Sequence, residues 1–531
     1  MADRMSFWAW GLESEEPTDA DRNAMANQLS ERYGVEVTAK PIPDLADAEL
    51  RPPRITPPDN LAEFCFTDTY ERARHAGGAH FTDRTRAFNL DFPNPPDVVS
   101  HPRTEGELEA ILDWCHEGGH AAVPFGAGSS VVWGVAPPDT PTSVTIAMDR
   151  FDQVLEIDET SRAARIQAGV YGPALEAQLK PSGHTLRHFP QSFRFSTLGG
   201  WIATRSGGHY ATNHTHIDDF VESIRMLTPN GWWESRRLPG SGAGPSPDRM
   251  VIGSEGILGI ISEAWMRIQA RPTFRATAGV VFDSWYAGTD AVRQIVQAKL
   301  WPANLRILDP AEAGRAAGLE GDQALVIIAF ESAELSQAAA IAAAVEIARG
   351  AGGHIDDDNI VIDDGTGSPT GHEGAVGEWR RSFIGVDPGT ATSMGVLADT
   401  FETSITWDRW PDFDATVREE MGRVLAEVCS KGELSCRFTH VYPDGPAPYY
   451  TWSGMGRQGS EISMWQEVKD AANEVVVRAG GTSTHHHAVG RMHRPNAYDV
   501  QRPDLFADSI RAVKRTLDPN GILNPGVLID P

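Results

Sequence analysis

The stretch FGAGSSVVWG, residues 125 to 134, closes the short apolar run AAVPF and stays small until Val131. Small side chains let a ligand approach the backbone, and successive N–H groups can converge on one anion, so the loop reads as a cradle for a diphosphate. A Rossmann fingerprint needs a third glycine where this chain has Val131, and an NTPase loop needs a Gly-Lys-Ser/Thr that does not follow. Alone, the segment is equally readable as a tight turn between strands. Just upstream, Thr104 and Glu107 have the spacing of a capping box, Leu108, Ile111, Leu112 and Cys115 share one helical face, and Gly118-Gly119 ends it. The order is therefore helix, strand, glycine-rich loop.

Outward from this point, period-two patterns recur between Ser143 and Gly169, and glycine-rich segments follow at Ser196 to Gly208 and Gly253 to Gly259. Several strands among helices predict an α+β body rather than a bundle. After Arg271 the texture changes. ATAGVVFDSW and ALVIIAFES read as strands and ELSQAAAIAAAVEIARG as a helix ending at Gly350, which predicts a second α+β unit. Thr38 to Asn60, rich in proline and acid, predicts a wrapping arm, and Asp356 to Gly374 a surface loop. In the last helix, ahead of Asp518-Pro519, Phe506, Ile510, Val513 and Leu517 fall on one face.

The 531 residues carry a net charge of -27, with 41% hydrophobic and 22% charged side chains, the balance of a folded globular protein of two or three units. That charge repels nucleic acid and anionic membranes, so an anionic ligand needs a local cationic site. Cys65, Cys115, Cys429 and Cys436 are scattered without a CxxC pair, which fits a reducing cytosol, and no apolar run approaches the roughly 20 residues of a membrane span. A cytoplasmic location is expected.

The candidate chemistry lies in three segments. His485-His486-His487 is the most unusual run of the sequence, and by itself it is readable as a strand whose His residues are hydrogen-bonded locally. An extended run would send residues 485 and 487 to one face and 486 to the other, which cannot easily close a metal site without outside ligands, and no metal is expected. Tyr449 and Tyr450 are adjacent on a strand, so one fills the core and one faces out. Arg306, in LRILD, reads either as a surface arginine beside Asp309 or as a site cation.

FSTLGGWIATRSGG (195 to 208) and IGSEGILGIISEAWMRI (252 to 268) stand after the 125 to 134 loop in an order that resembles the FAD-binding domain of vanillyl-alcohol-oxidase (PCMH) type. Within it, the chain resembles the alkyldihydroxyacetonephosphate synthase (alkylglycerone-phosphate synthase) family through FWAWG (7 to 11), LRILD (305 to 309), DTFETSITWDR (399 to 409), GTSTHHHAVG (481 to 490) and DPNGILNPG (518 to 526). The resemblance implies an α+β fold in which the FAD-binding domain is split in sequence by a substrate cap. The expected division is an arm over 1–90, the FAD-binding domain over 91–270, an α+β cap over 271–480 and a returning segment over 481–531.

The implied cofactor is FAD, held noncovalently because the loop has neither His nor Cys. The resemblance assigns to it Pro124, Phe125, Gly126, Ala127, Gly128, Ser129, Ser130 and Gly134 of the loop, and Pro190, Ser196, Thr197, Gly199, Gly200, Thr204, Arg205 and Gly207 of the second segment. Glu255, Gly256, Gly259, Ile260 and Ile261 of the third, with Asn524, complete the set. The implied reaction is without net redox change: reduced flavin N5 attacks C1 of acyl-dihydroxyacetone phosphate, the fatty acid leaves, and a long-chain alcohol adds to give an ether. Tyr449, placed by its spacing from Tyr442 and Gly445, moves protons with His485, His486 and His487, while Arg306 orients the substrate.

The implied partners are those lipid-like substrates, a homodimer mate, and transiently a membrane surface met through an exposed apolar patch; nucleic acid is not expected. Two segments depart from the family. Its phosphate arginine, in a Tyr-x-Arg-Asp segment, is replaced by FIGVDPGTATSMG with Pro388 near the position, leaving Arg380 and Arg381 as substitutes, and NHTHIDD (213 to 219) replaces a Tyr-Gly pair. The alternative is an FAD-dependent oxidoreductase of a 2-hydroxy acid or alcohol, whose usual Gly-Glu-His-Gly segment is HHHAVG here.

Overall fold

Strands fall into two groups along the chain, and the glycine-rich loop hangs between them. The computed structural model describes residues 3–210, 216–365 and 387–530; Asn213 to Thr215, Arg380 and Arg381 lie outside the described residues. Strands β1 (Cys65–Phe66), β2 (Val98–Ser100), β3 (Ala121–Phe125) and β4 (Ser143–Ala147) form a sheet ordered β1-β2-β4-β3, parallel from β2 to β3. The crossover helix Glu105–Gly118 makes this possible. Thr104 caps it by accepting the N–H of Glu107, Gly119 ends it at φ 64°, and Leu108, Ile111, Leu112 and Cys115 bury its apolar face on the sheet. The Glu107 carboxylate accepts the N–H of Arg103, one residue outside the cap.

The next sheet holds β5 (Val154–Asp158), β6 (Ala163–Gln167), β8 (Val221–Thr228), β9 (Gly231–Glu234) and β10 (Ile260–Arg267) in the antiparallel order β5-β6-β10-β8-β9. A short pair, β7 (His184–Thr185) and β11 (Gln269–Ala270), leads out of it. The second group follows: β12 (Phe274–Phe282), β13 (Asn304–Leu308), β14 (Ala324–Ser332), β15 (Ile360–Asp364), β16 (Val396–Glu402), β17 (Ser430–Val441) and β18 (Pro446–Met455). They form one antiparallel sheet ordered β15-β12-β14-β13-β17-β18-β16. Helices Trp285–Gln297, Ala338–Gly350, Trp410–Val428 and Glu461–Arg478 contribute buried faces to its core, which also takes in Val132 of the loop and Ala488 and Met492 of the returning chain. The four cysteines are buried thiols, and no helix among the described residues is long and apolar enough to cross a membrane.

Two expectations change. Residues 360 to 364 are not loop but an edge strand paired with β12 from Ala278↔Ile360 to Phe274↔Asp364, because the β-branched Ile-Val-Ile run outweighs the acids around it. In the last helix, Asp504–Leu517, Ile510, Val513 and Leu517 pack on the core, but Phe506 is 52% exposed, one turn too early to reach it.

Candidate functional site

A cavity of about 470 Å³ has one wall of backbone and one of titratable side chains. The backbone wall is the loop after β3. A Cβ on Gly126 would come within 2.3 Å of Thr197 Oγ1, so this strand end tolerates only glycine. The N–H groups of Gly126, Ala127, Gly128 and Ser129 donate to no described residue. The loop is held from outside: Ser130 Oγ accepts the N–H of Gly134 at 3.0 Å, Ser130 O accepts from Ala79, and Arg74 donates to Ala127 O at 2.7 Å. Free N–H groups in such a cradle suit a diphosphate.

Of the residues assigned to the cofactor, Gly126 to Ser130, Pro190, Ser196, Thr197, Gly200, Thr204 and Gly207 line this cavity. The remainder stand behind it. Gly256 packs on Pro124, Gly199 on Ala168 and Gly259 on Met226; Phe125 meets His75, Arg205 bonds Asp218, and Ile260 and Ile261 begin β10. Asn524 donates to Gly134 O (2.9 Å) and Glu255 O (2.8 Å), and the Glu255 carboxylate accepts the N–H groups of Val489 (2.9 Å) and Gly490 (2.8 Å). Burial pushes that carboxyl up to about 7.

The side-chain wall is organised by Glu402, the last residue of β16, whose register partner on β18 is Tyr449. Its carboxylate accepts the Thr484 hydroxyl (2.5 Å) and the N–H groups of His485 (2.7 Å), His486 (3.2 Å) and His487 (3.0 Å). The triplet is therefore bent around one anion, not extended, and its rings do not alternate between two faces. Burial alone would raise the Glu402 carboxyl, but His486, first among the groups around it, holds it well below the carboxylate range through charge and a hydrogen bond.

His485 Nδ1 lies 3.0 Å from His486 Nδ1, and its Nε2 bonds the Tyr442 hydroxyl at 2.7 Å, which also meets His216 Nε2 at 3.1 Å. His440, on β17, packs 5.0 Å from both His485 and His486 and brings a third ring nitrogen within 4.8 Å of theirs, the outside partner the triplet lacked. Desolvation lowers His485 and His440 well below the usual imidazole range and His487 to about 4, so these rings are neutral at pH 7.

Tyr449 is buried with its ring stacked 5.8 Å from His486 and edge-on 5.4 Å from His487, beneath the Arg437 guanidinium at 4.4 Å. Burial raises its phenol. Tyr450 points to the opposite face of β18 and donates to Asp414 at 2.8 Å in the core. Arg306 is neither on the surface nor paired with Asp309, which instead meets Arg418 at 3.1 Å. It is buried behind the cavity wall, donating to Asn304 Oδ1 (3.2 Å) and His209 O (3.1 Å). Sequence reasoning missed Glu402, His440, Tyr442 and His216, although Glu402 lies inside the quoted FETS segment; it meets the triplet where Thr403 and Ser404 bond Thr482, a long-range contact with no local signal.

Loop, register and fold define a class, the FAD-linked flavoenzymes. Family models for "FAD binding domain" and "FAD linked oxidases, C-terminal domain" match residues 96–235 and 271–528, and FAD is the cofactor. The chain is 28% identical to alkyldihydroxyacetonephosphate synthase of Dictyostelium discoideum over 89% of this chain and 79% of that one. Against the Caenorhabditis elegans synthase the figures are 29%, 82% and 76%, and against glycolate oxidase subunit GlcD of Bacillus subtilis (strain 168) 26%, 82% and 89%. A solved alkyldihydroxyacetonephosphate synthase structure matches with TM-score 0.80 at 22% identity over 98% of both chains, a likeness of fold. The chain carries the two domains of an FAD-linked enzyme and is similar to the alkyldihydroxyacetonephosphate synthases over most of its length.

Proposed function

We propose that the enzyme forms the ether bond of an alkyl-dihydroxyacetone phosphate, exchanging the acyl group of acyl-dihydroxyacetone phosphate for a long-chain alcohol. The observation that carries this reading is the meeting of Tyr449, His486 and His487 with the Gly126 to Ser130 loop in one cavity. Bound FAD supplies the carbon-centred covalent chemistry that the polypeptide lacks. Gly126 to Ser129 hold its diphosphate through their free N–H groups, with Asn524 and Glu255 fixing the loop from behind, and no side chain is needed as a covalent tether.

The protein's part is proton movement and exclusion of water. His486 and His487 accept protons at their ring nitrogens, and the Tyr449 hydroxyl returns one to the leaving or entering oxygen. Tyr442, bonded to His485 and His216, extends the path. Arg306 acts by position, fixing Asn304 and the His209 carbonyl behind His440. Val131, Val396, Ala398 and Ala391 give the cavity an apolar side for the chains. Val500, Leu505 and Phe506, 67%, 82% and 52% exposed, form the apolar patch through which the enzyme meets a membrane surface.

The test is anaerobic incubation with palmitoyl-dihydroxyacetone phosphate and hexadecanol, with ether product assayed by mass spectrometry and no electron acceptor added. Ether formation is the expected result. Flavin bleaching by a 2-hydroxy acid without ether product would support the second reading, an FAD-dependent oxidoreductase, which the likeness to a glycolate oxidase subunit favours.

A further inference from the structure

One cation in the cavity wall has no hydrogen-bond or ion-pair partner among the described residues. Arg84, on the helix Phe81–Phe88, lines the same cavity as Tyr449, His486 and His487. Its guanidinium makes no hydrogen bond or ion pair with any described residue, and its Nε is fully buried. Among the described residues the carboxylate acting on it is Asp387, which also lines the cavity but forms no ion pair with it. Burial lowers its pKa, the direction expected of a cation held away from water. An unpaired guanidinium in a low-dielectric wall is costly unless an anion meets it, and its planar fork suits two oxygens of a phosphate.

The position is built. Fully buried Arg22 donates to the carbonyls of Gly389 (3.4 Å), Thr390 (2.9 Å) and Thr392 (2.9 Å), and lies 4.2 Å over Phe88 on the helix that carries Arg84. One arginine thus clamps the 389 to 392 turn to that helix. The fit is close enough that a Cβ on Gly389 would come within 2.3 Å of Arg84 Nη2. Thr85, Thr392 and Trp10 line the cavity with it.

Two phosphates enter such a cavity, the cofactor's diphosphate and a substrate's monoester. The diphosphate is already matched by the loop's own N–H groups, whereas Arg84 faces the 387 to 392 turn. We propose that Arg84 binds the phosphate monoester of the substrate and selects phosphorylated over unphosphorylated glycerone esters. The proposal rests on the ether-synthesis reading for the identity of the substrate.

The experiment titrates the purified, FAD-loaded enzyme with inorganic phosphate and with dihydroxyacetone phosphate by calorimetry. The expected result is saturable binding that weakens at least tenfold in Arg84→Gln with the FAD-to-protein ratio unchanged. Arg84→Lys, which keeps the charge without the fork, recovers part of the affinity and reports the same contact should the glutamine variant not fold. Equal affinity in wild type and variants, or no binding by wild type, overturns the proposal. So does loss of FAD from Arg84→Gln with phosphate affinity restored on reloading, which would assign Arg84 to the cofactor. Arg84-dependent phosphate binding in an enzyme that makes no ether from palmitoyl-dihydroxyacetone phosphate and hexadecanol would leave the site standing and remove the ether reading.

Discussion

Among the described residues, two histidine clusters have opposite electrostatic character. In the cavity wall, several imidazoles share one carboxylate, Glu402, and burial leaves His485, His487 and His440 neutral. Beneath β1 and β2, His101 stands between two carboxylates, Asp149 at 2.6 Å and Glu71 at 3.2 Å. Burial lowers His101, but those hydrogen bonds overcome it and raise the ring to about 9. The ratio of imidazole to carboxylate decides the outcome. A neutral ring beside an ionised acid can take up and pass on a proton, whereas a ring already charged at pH 7 is a fixed structural cation.

Glu402→Gln is the sharpest way to break this contrast, because it removes the charge that gathers three N–H groups. Turnover is expected to fall on the order of 10²-fold and stability by about 2–3 kcal/mol, with FAD content kept; steady-state rates and thermal unfolding check both. Tyr449→Phe removes one hydroxyl, and a loss on the order of 10²-fold in kcat is expected with unchanged stability. Tyr450→Phe, one residue on, should instead cost about 1 kcal/mol of stability through its lost bond to Asp414 and leave turnover near normal.

The clusters should also respond to pH with opposite signs. The unfolded chain protonates His487 near pH 6.5, the folded protein only at about 4, so its contribution is lost as pH falls through that window, at about 1.4 kcal/mol per unit. His101 contributes fully below about pH 6.5 and is lost as pH rises through 9. Melting temperature measured from pH 4 to 10 should therefore decline at both ends. His101→Gln should cost about 2–3 kcal/mol near pH 7 and abolish only the alkaline decline; an unchanged alkaline limb would show that the charge lies elsewhere.

The two walls of the cavity were not equally readable from sequence. The loop wall depends on residues being small and on order along the chain, so FGAGSSVVWG and the two later glycine segments suffice for it. The other wall depends on long-range pairing: β16 register sets Glu402 opposite Tyr449, and Glu402 meets the His triplet roughly 80 residues on where Thr403 and Ser404 bond Thr482. His440 and Arg84 come from a strand and a helix that carry no motif, and the extended reading of the triplet failed because no local signal announces a distant carboxylate. Residues 360 to 364 were read as loop because the acids on either side hid a three-residue apolar run on a sheet edge.

Asn524 and Leu523 close the back of a loop that lies four hundred residues earlier, through the bond to Gly134 O and the bridge to Ala122. On a ribosome, the cradle is therefore made early and locked late. A nascent chain has the loop's N–H groups exposed long before the segment that fixes them has been synthesised, so stable retention of FAD is a post-translational event that reports completion of the whole fold.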